Sequence, residues 1–237
     1  MVLINMDLNE AKFNITSAHG ENGILLAISR ILKNKNRIGV EIGAGDGLAS
    51  NNLHPFIFRN WKILYIEGNE EYYKRLIENT SKYSNVFREK AIVRNGEDLN
   101  KILEKFNTPI DFDIFSLDID NIDFWIWKDL KFEPKVVCVE YNMDLPENSS
   151  VIKNFSIPED LDNKSGPLFG AHPFAWAKLA EKRKYDLISV TRGSNMIFIK
   201  SDLNKFPKID PYNYKYRIRG REFKPEHLEY ITTDLEL

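Results

Sequence analysis

A glycine-rich segment with the sequence EIGAGDG, residues 41–47, has the clearest capacity in this chain to bind a ligand. Glycines directly after a strand let the backbone turn sharply and let a ligand approach it closely. Dinucleotide sites use the pattern G-x-G-x-x-G, but the position of its third glycine is Leu48 here. Glu41 precedes the first glycine and suits a cationic ligand, such as an ammonium or a sulfonium group. A plain tight turn is the alternative interpretation.

A second acidic residue, Glu67, follows Gly47 by 20 residues and ends the apolar run KILYIE. At this position of a βαβ unit, a carboxylate can accept hydrogen bonds from both hydroxyls of a ribose. A surface glutamate at a strand end is the alternative. Two cofactors, NAD and S-adenosylmethionine, use such a pair of glycine loop and acidic residue. The glycine spacing and a predicted C-terminal hairpin favour S-adenosylmethionine.

Carboxylates and an amide also end two later apolar runs. Asp118 and Asp120 follow one run, and Glu140 and Asn142 follow the next. Each pair shares one face of its strand, and the carboxyl ends of neighbouring parallel strands form the ligand crevice. Like charges this close need a cation, a shared proton or water. Asp118, Asp120 and Glu140 could therefore hold Mg²⁺ or another divalent metal. Without a metal, the aspartates would hold backbone amides and the substrate.

Two histidines are candidate general bases for a hydroxyl group. His19, in SAHGENG, and His172, in FGAHPFAW, lie at predicted loop-to-helix junctions that could border the crevice. A histidine with a pKa near neutrality can accept the proton of a hydroxyl. A cap or surface role is the alternative for both, and Asp120 is the competing base. We expect a structural role for His54 and a solvated side chain for His227.

A sheet whose strands alternate with helices must position these residues. Five apolar runs predict strands at residues 37–42, 62–67, 86–93, 112–118 and 135–141. The remaining periodic segments predict helices at about 21–33, 70–82, 97–106, 122–130 and 173–183. Strands separated by helices of this length indicate βαβ units and a parallel sheet, hence an α/β fold. Two further runs, at 185–191 and 196–200, flank a turn signal at 192–195 and predict an antiparallel hairpin.

The segment after Asn142 departs from this alternation. Residues 143–171 contain three prolines and little periodicity, and they are long for a connection. Connections of this length tend to be functional, so we expect an insertion on the substrate side of the site. Residues 1–200 are predicted to form one domain that contains this insertion, followed by a peripheral tail at 201–237.

The composition excludes several classes of protein. The chain has 237 residues, 43% of them hydrophobic, and its 33 basic against 35 acidic residues give a formal charge of −2. This balance provides no electrostatic case for binding nucleic acid or an acidic membrane. One cysteine, Cys138, excludes a disulfide framework and a cysteine-based zinc site. No apolar run has membrane-spanning length and the N-terminus lacks signal-peptide features, so we expect a cytoplasmic protein. The oligomeric state stays open, with a homodimer as one alternative.

Several segments together resemble the FkbM-like family of S-adenosylmethionine-dependent methyltransferases. They are SAHGENGIL, VEIGAGDGLASNN, WKILYIEGNEEYYKRL, FSLDIDNIDFWIWKDL and PKVVCVEYN. The resemblance covers roughly residues 15–142 and continues weakly over FGAHPFAWAKLAEKRKYDLISV. The sequence departs from the family pattern at Asn22, where an acidic residue is usual, at Asn69, at Asn121 and at His172-Pro173.

The resemblance implies a class I methyltransferase fold, which is Rossmann-like. Such a fold has a seven-stranded, mostly parallel sheet with one antiparallel strand and helices on both faces. By resemblance, the residues that contact S-adenosylmethionine would be Glu21, Glu41, Gly43, Gly45, Asn52, Glu67, Gly68, Asn95 and Asp118. The acceptor would meet Asp120, Glu140, Asn142 and His172.

The implied activity is methyl transfer to an oxygen of a small hydroxylated or phosphorylated acceptor. A sugar, a sugar nucleotide or a precursor of a capsule or glycan is the leading acceptor class. N-methylation of a small molecule remains an alternative. A non-catalytic protein that keeps the fold and an NAD-dependent oxidoreductase are the alternatives from other classes.

Overall fold

A seven-stranded sheet forms the centre of the folded domain. The computed structural model describes residues 7–32, 36–120, 122–153, 167–192 and 195–237. Its strands are β1 (Ile38–Ile42), β2 (Lys62–Glu67), β3 (Val86–Lys90), β4 (Ile114–Leu117), β5 (Val136–Glu140), β6 (Val151–Ile152), β7 (Tyr185–Val190), β8 (Asn195–Lys200) and β9 (Ile231–Thr232). The large sheet has the order β3-β2-β1-β4-β5-β8-β7, while β6 and β9 form a separate pair.

Six of the seven strands run in the same direction, and β8 runs antiparallel to both of its neighbours. This arrangement confirms the predicted class I methyltransferase fold, including its single antiparallel strand. The hairpin of β7 and β8 is also confirmed, although residues 193–194 of its turn lie outside the described residues. Since β1, β2, β4 and β5 are parallel neighbours, their carboxyl ends lie along one edge of the sheet.

Helices cover both faces of this sheet. A 3₁₀ helix (Leu8–Ala11) precedes α1 (Glu21–Ile31), α2 (His54–Ile57), α3 (Glu70–Thr80), α4 (Gly96–Lys105), α5 (Asp123–Asp129), α6 (Pro173–Arg183) and α7 (Pro225–Leu228). Successive residues of β5 alternate between two cores: Val137 and Val139 pack with α4, α5 and α6, whereas Val136 and Cys138 pack with α1 and α2. Burial on both faces explains why the strand is apolar at nearly every position.

The third strand is shorter than its apolar pattern, which predicts a strand to residue 93. The N–H of Ala91 donates to the carbonyl of Glu67, the last residue of β2, and β3 ends at Lys90. Beyond Glu67 the neighbouring strand offers no further hydrogen-bond partner. Ile92 and Val93 therefore leave the sheet at its carboxyl edge.

The C-terminal segment, residues 201–237, packs on the domain at several points. β9 pairs with β6, which lies in the predicted insertion, and Phe206 and Leu235 are buried. The prediction of a solvated His227 is wrong, because its ring is buried and its Nδ1 accepts the N–H of Lys224 at 3.1 Å. Residues 154–166 of the insertion lie outside the described residues. Among the helices that are described, none is long and apolar enough to cross a membrane.

The N-terminal segment is attached to the domain through the buried amide of Asn22. Its Oδ1 accepts the backbone N–H groups of Ile15 at 2.9 Å and of Thr16 and Ser17 at 2.7 Å. Its Nδ2 donates to two carbonyls of the loop after β1, those of residues 51 and 52, at 3.1 and 2.9 Å. Only a side chain with both an acceptor and a two-proton donor can make all of these bonds.

We expect Asn22→Asp to destabilise the protein by about 2–4 kcal/mol, because a carboxylate cannot donate to the two buried carbonyls and repels them. Urea unfolding followed by circular dichroism measures this loss. Asn36→Asp makes the same change at an accessible amide that donates to the carboxylate and the carbonyl of Asp111, where water screens the added charge, and it should cost far less. Equal losses in the two variants would contradict the role assigned to Asn22.

Candidate functional site

The glycine loop, residues 43–47, turns over the carboxyl end of β1. Gly43 has φ +72°, and a Cβ built there would lie 1.8 Å from the carbonyl oxygen of Asp118. Only glycine fits this position, because the loop packs directly on the end of β4. Gly45 has φ +56°, and a Cβ there would meet nothing within 4 Å. The loop is therefore packed against protein at Gly43 and faces open space at Gly45.

The carboxylate of Glu67 is bonded to this loop. Its Oε2 accepts the N–H of Gly45 at 2.8 Å, and its Oε1 accepts the N–H of Asn69 at 2.7 Å. The side chain of Asn69 in turn caps α3 by accepting the N–H groups of Glu71 and Tyr72. Each carboxylate oxygen can accept a second hydrogen bond, so Glu67 keeps capacity for ligand hydroxyls beside Gly45.

Glu41 lies beneath the loop and is almost completely buried. Its two oxygens accept the N–H groups of Asn52 at 2.8 Å and of Leu53 at 3.1 Å. Burial raises the pKa of Glu41 to about 7, although these hydrogen bonds oppose the shift. The amide of Asn52 donates to Ser116 Oγ at 3.0 Å, which joins β1 to β4 through polar side chains. The structure thus brings Glu41 and Asn52 together, and their contact with a cofactor stays a prediction.

Glu21 joins the N-terminal segment to the β7–β8 hairpin. Its Oε1 accepts from Thr191 Oγ1 at 2.7 Å and from Asn195 Nδ2 at 3.0 Å, and its Oε2 accepts the N–H of His19 at 2.8 Å. The imidazole of His19 itself is exposed. The cofactor contact of Glu21 and the basic role of His19 stay predictions.

Asp118, Asp120 and Glu140, called the carboxylate cluster below, converge at the carboxyl ends of β4 and β5. One carboxylate oxygen from each lies within 4.8 Å of the others. Burial, then the charges of Glu140 and Asp120, raise the pKa of Asp118 well above its usual range. Burial raises the pKa of Glu140 to about 7. Three oxygen donors at this spacing fit a divalent cation such as Mg²⁺.

Asp120 occupies a distinctive position in this cluster. It is the exposed member, and its backbone has φ +65°, in the left-handed region that glycine, asparagine and aspartate adopt more readily than other residues. The chain thus presents one accessible carboxylate at the mouth of the crevice.

The side chains of Asn142 and His172 bond to the chain itself. Asn142 Nδ2 donates to the carbonyls of Pro167 and Phe169, both at 2.9 Å. His172 caps α6 by accepting the N–H of Phe174 on Nδ1 at 3.1 Å, and burial lowers its pKa to about 4. Its ring is buried and its Nδ1 is engaged in the helix cap. Asp120 is the accessible candidate base, and a substrate contact of Asn142 or His172 stays a prediction.

The side of the crevice predicted to receive an adenine contains one residue that the sequence pattern did not single out. Asn95 caps α4 by accepting the N–H of Asp98 at 2.9 Å. A Cβ on Gly68 would lie 3.1 Å from the side chain of Ile92, a residue that is 63% exposed. An exposed aliphatic surface at the end of β2 suits the apolar face of a heterocycle. The apolar pattern of residues 86–93 predicted a strand that includes Ile92, so the sequence did not indicate that this residue lies exposed beside the site.

Arg219, in the C-terminal segment, is the second residue that sequence reasoning missed. Its Nη2 donates to Glu140 Oε1 at 2.6 Å, so a cation from the end of the chain reaches the carboxylate cluster. The only sequence signal was the basic character of the surrounding segment. Nothing in that pattern indicates a partner 79 residues away.

No family model and no curated protein matches this chain. Among solved structures, it is similar to the N-terminal domain of EvdMO1 with SAH bound, at 14% identity and a TM-score of 0.50 over 78% of this chain and 82% of that one. The same domain in the presence of SAH and D-fucose matches at 14% identity and a TM-score of 0.50, over 76% and 82%. Precorrin-6y C5,15-methyltransferase from Geobacter metallireducens matches at 16% identity and 0.43, over 82% and 95%. At these identities the likeness concerns the fold, and membership of the FkbM-like family stays a prediction.

The raised pKa of Glu41 leads to a prediction about stability. Between its ordinary value of 4.5 and about 7, the folded protein binds a proton at Glu41 that the unfolded chain has lost. Glu41 therefore makes stability fall as pH rises through this window, and Glu41→Gln should remove this contribution while those of Glu140 and Asp118 remain. Relative to the variant, we expect wild type to lose about 1–3 kcal/mol of unfolding free energy between these pH values, measured by urea unfolding.

Glu104→Gln is the matched control, because this carboxylate is exposed in the folded protein. Its unfolding free energy should follow the wild-type pH dependence. Parallel pH profiles for wild type and Glu41→Gln would refute the assignment of the pH effect to Glu41.

Proposed function

We propose that this protein is an S-adenosylmethionine-dependent methyltransferase acting on a small-molecule hydroxyl. The observation that carries the proposal is the hydrogen bond from the Gly45 N–H to Glu67, which places a carboxylate on the glycine loop at the ends of β1 and β2. A ribose bound there would meet Glu67, and the amino acid part of the cofactor would lie over Glu41. The structural likeness to a domain crystallised with SAH supports this cofactor.

The proposed reaction is an in-line displacement at the methyl carbon. The bond from sulfur to the methyl group breaks as the acceptor oxygen forms its bond, and the sulfonium leaves as a neutral thioether. The acceptor hydroxyl loses its proton to a base, for which the accessible Asp120 is the candidate. Because sulfonium is a good leaving group, the protein mainly holds donor and acceptor about 3 Å apart in line.

A divalent metal is an optional part of this proposal. Asp118, Asp120 and Glu140 would hold it, since their oxygens converge within 4.8 Å. When bound, such an ion would neutralise the carboxylates and favour the ionised form of an acceptor hydroxyl.

The acceptor class is proposed from the chemistry of the crevice mouth and from the family resemblance. Accessible carboxylate oxygens can accept hydrogen bonds from sugar hydroxyls, which supports a sugar, a sugar nucleotide or a precursor of a capsule or glycan in the cytoplasm. N-methylation is the nearest alternative. The oxidoreductase alternative is disfavoured by Leu48, which occupies the position of the third dinucleotide-binding glycine.

Calorimetric titration with S-adenosylhomocysteine (SAH), with NAD as the comparison, tests the cofactor. We expect SAH to bind and NAD not to bind. Glu67→Ala should weaken SAH binding by about 1–3 kcal/mol, because the ribose loses its acceptor and Gly45 loses its partner. Glu71→Ala removes an exposed carboxylate from nearby α3 and should leave the affinity unchanged. Wild-type affinity in Glu67→Ala would show that this residue does not bind the ribose.

Turnover on a panel of sugars and sugar nucleotides tests the base. Asp120→Asn should retain SAH binding but lose about 10²-fold or more in turnover, because asparagine accepts no proton. Asparagine tolerates the left-handed backbone of this position, so the loop should keep its shape. Asp202→Asn, at an exposed site in the C-terminal segment, is the control.

Undiminished turnover in Asp120→Asn would remove this residue as the base. Assays with a chelator, followed by addition of Mg²⁺ or Mn²⁺, address the metal separately. Loss and recovery of activity would establish a metal requirement, whereas activity in chelator would assign the cluster to direct contact with cofactor and acceptor.

A further inference from the structure

The C-terminal segment crosses the carboxyl edge of the sheet beside the carboxylate cluster. The ring of Tyr216 packs edge-on against Tyr141, which directly follows β5, with ring centroids 5.2 Å apart. Tyr214 continues this aromatic contact on Tyr216 at 5.0 Å. Further along, β9 pairs with β6. These contacts fix the path of the segment at the place where the proposed acceptor would enter.

The carboxylate of Asp144 holds the backbone of the C-terminal segment next to the carboxylate cluster. Asp144 accepts three consecutive backbone N–H groups, those of Arg219 at 2.8 Å and of Gly220 and Arg221 at 3.1 Å. Gly220 has φ +76°, which lets the three N–H groups turn toward a single acceptor. Asp144 therefore determines where the side chain of Arg219 leaves the backbone.

The guanidinium of Arg219 is held on two sides. Its Nη2 donates to Glu140 Oε1 at 2.6 Å, and its carbon lies 4.9 Å from the ring centroid of buried Phe169. The Arg219 and Glu140 side chains are only 23% and 12% exposed, so little water screens the pair. A charge-assisted bond of this length, shielded in this way, fixes both groups.

The cluster favours a nearby cation. Three carboxylates within 4.8 Å repel one another, and a nearby positive charge offsets this repulsion. Arg219 is part of the chain, so its charge is present whatever the concentration of metal ions. Its bond also withdraws Glu140 from the acceptor and leaves Asp120 as the accessible carboxylate.

We propose that Arg219 is a positioning residue of the methyl-acceptor site, where its guanidinium holds Glu140 and offsets the charge of the carboxylate cluster. This inference rests on the proposed function, because the cluster is the acceptor side of that site. It makes the C-terminal segment part of the site. It also implies that Arg219 and a divalent cation compete for Glu140.

Mn²⁺ binding to the purified full chain, measured by electron paramagnetic resonance, tests this competition. We expect Arg219→Gln and Arg219→Met to bind Mn²⁺ about ten-fold or more tightly than wild type, since both free Glu140 and leave the cluster more negative. Arg219→Met keeps an apolar stem against Phe169 and provides the result if the glutamine variant does not fold. Arg219→Lys retains the charge and should stay near the wild-type affinity.

Two further variants locate the effect. Adding Glu140→Gln to Arg219→Gln should abolish the gain, which assigns the bound Mn²⁺ to the cluster. Arg217→Gln makes the same change of charge at an exposed neighbour in the same segment and should bind Mn²⁺ as wild type does. Unchanged Mn²⁺ affinity in both Arg219 variants would overturn the proposal, and so would an equal gain in Arg217→Gln.

SAH titration of the same samples separates this proposal from the one on which it rests. If wild type binds SAH but the Arg219 variants show no change in Mn²⁺ affinity, only the role of Arg219 fails. If wild type does not bind SAH, the proposed function fails, and with it the assignment of Arg219 to an acceptor site. SAH affinity within about two-fold of wild type in the Arg219 variants would show that the cofactor side is intact.

Discussion

The contact between Gly43 and the carbonyl oxygen of Asp118 is the constraint on which the site depends. The absence of a side chain at Gly43 lets the loop after β1 rest on the end of β4, where a Cβ would lie 1.8 Å from that oxygen. As a result, the loop that faces a ligand at Gly45 and the strand end that carries Asp118 and Asp120 border one crevice. A larger residue at 43 would separate the proposed cofactor side from the acceptor side, even if every other side chain were kept.

Buried polar groups connect this crevice to the rest of the fold. Glu41 is bonded to the N–H groups of Asn52 and Leu53, and Asn22 donates to the carbonyls of Asn51 and Asn52. The backbone of residues 51–53 is thus bonded on both sides: its N–H groups donate to the carboxylate of Glu41, and its carbonyls accept from the amide of Asn22. An acidic residue at 22 could serve only as an acceptor here. The departure of Asn22 from the family pattern therefore has a local physical reason in this chain.

The sequence predicted what local pattern and strand order determine. Alternating apolar runs and helices identified the parallel sheet, and the rule that ligands bind at carboxyl strand ends brought Asp118, Asp120 and Glu140 together. Contacts between distant segments were not predictable in this way. The bond from Arg219 to Glu140 spans 79 residues, and the burial of His227 depends on how the C-terminal segment packs. The role of His172 was not predictable from its residue type either. A histidine suggested a general base, but in the structure His172 precedes Pro173 and caps the N-terminus of α6.

The two sides of the crevice handle negative charge in different ways. On the proposed cofactor side, Glu67 and Glu41 accept backbone N–H groups, and Glu67 keeps capacity for ligand hydroxyls. At the ends of β4 and β5 three carboxylates converge, and a guanidinium from a distant segment contacts one of them, Glu140. Backbone donors are fixed by the fold, whereas a side-chain cation can be displaced by a competing ion. Changes in ionic conditions should therefore act on the acceptor side of this crevice before they act on the cofactor side.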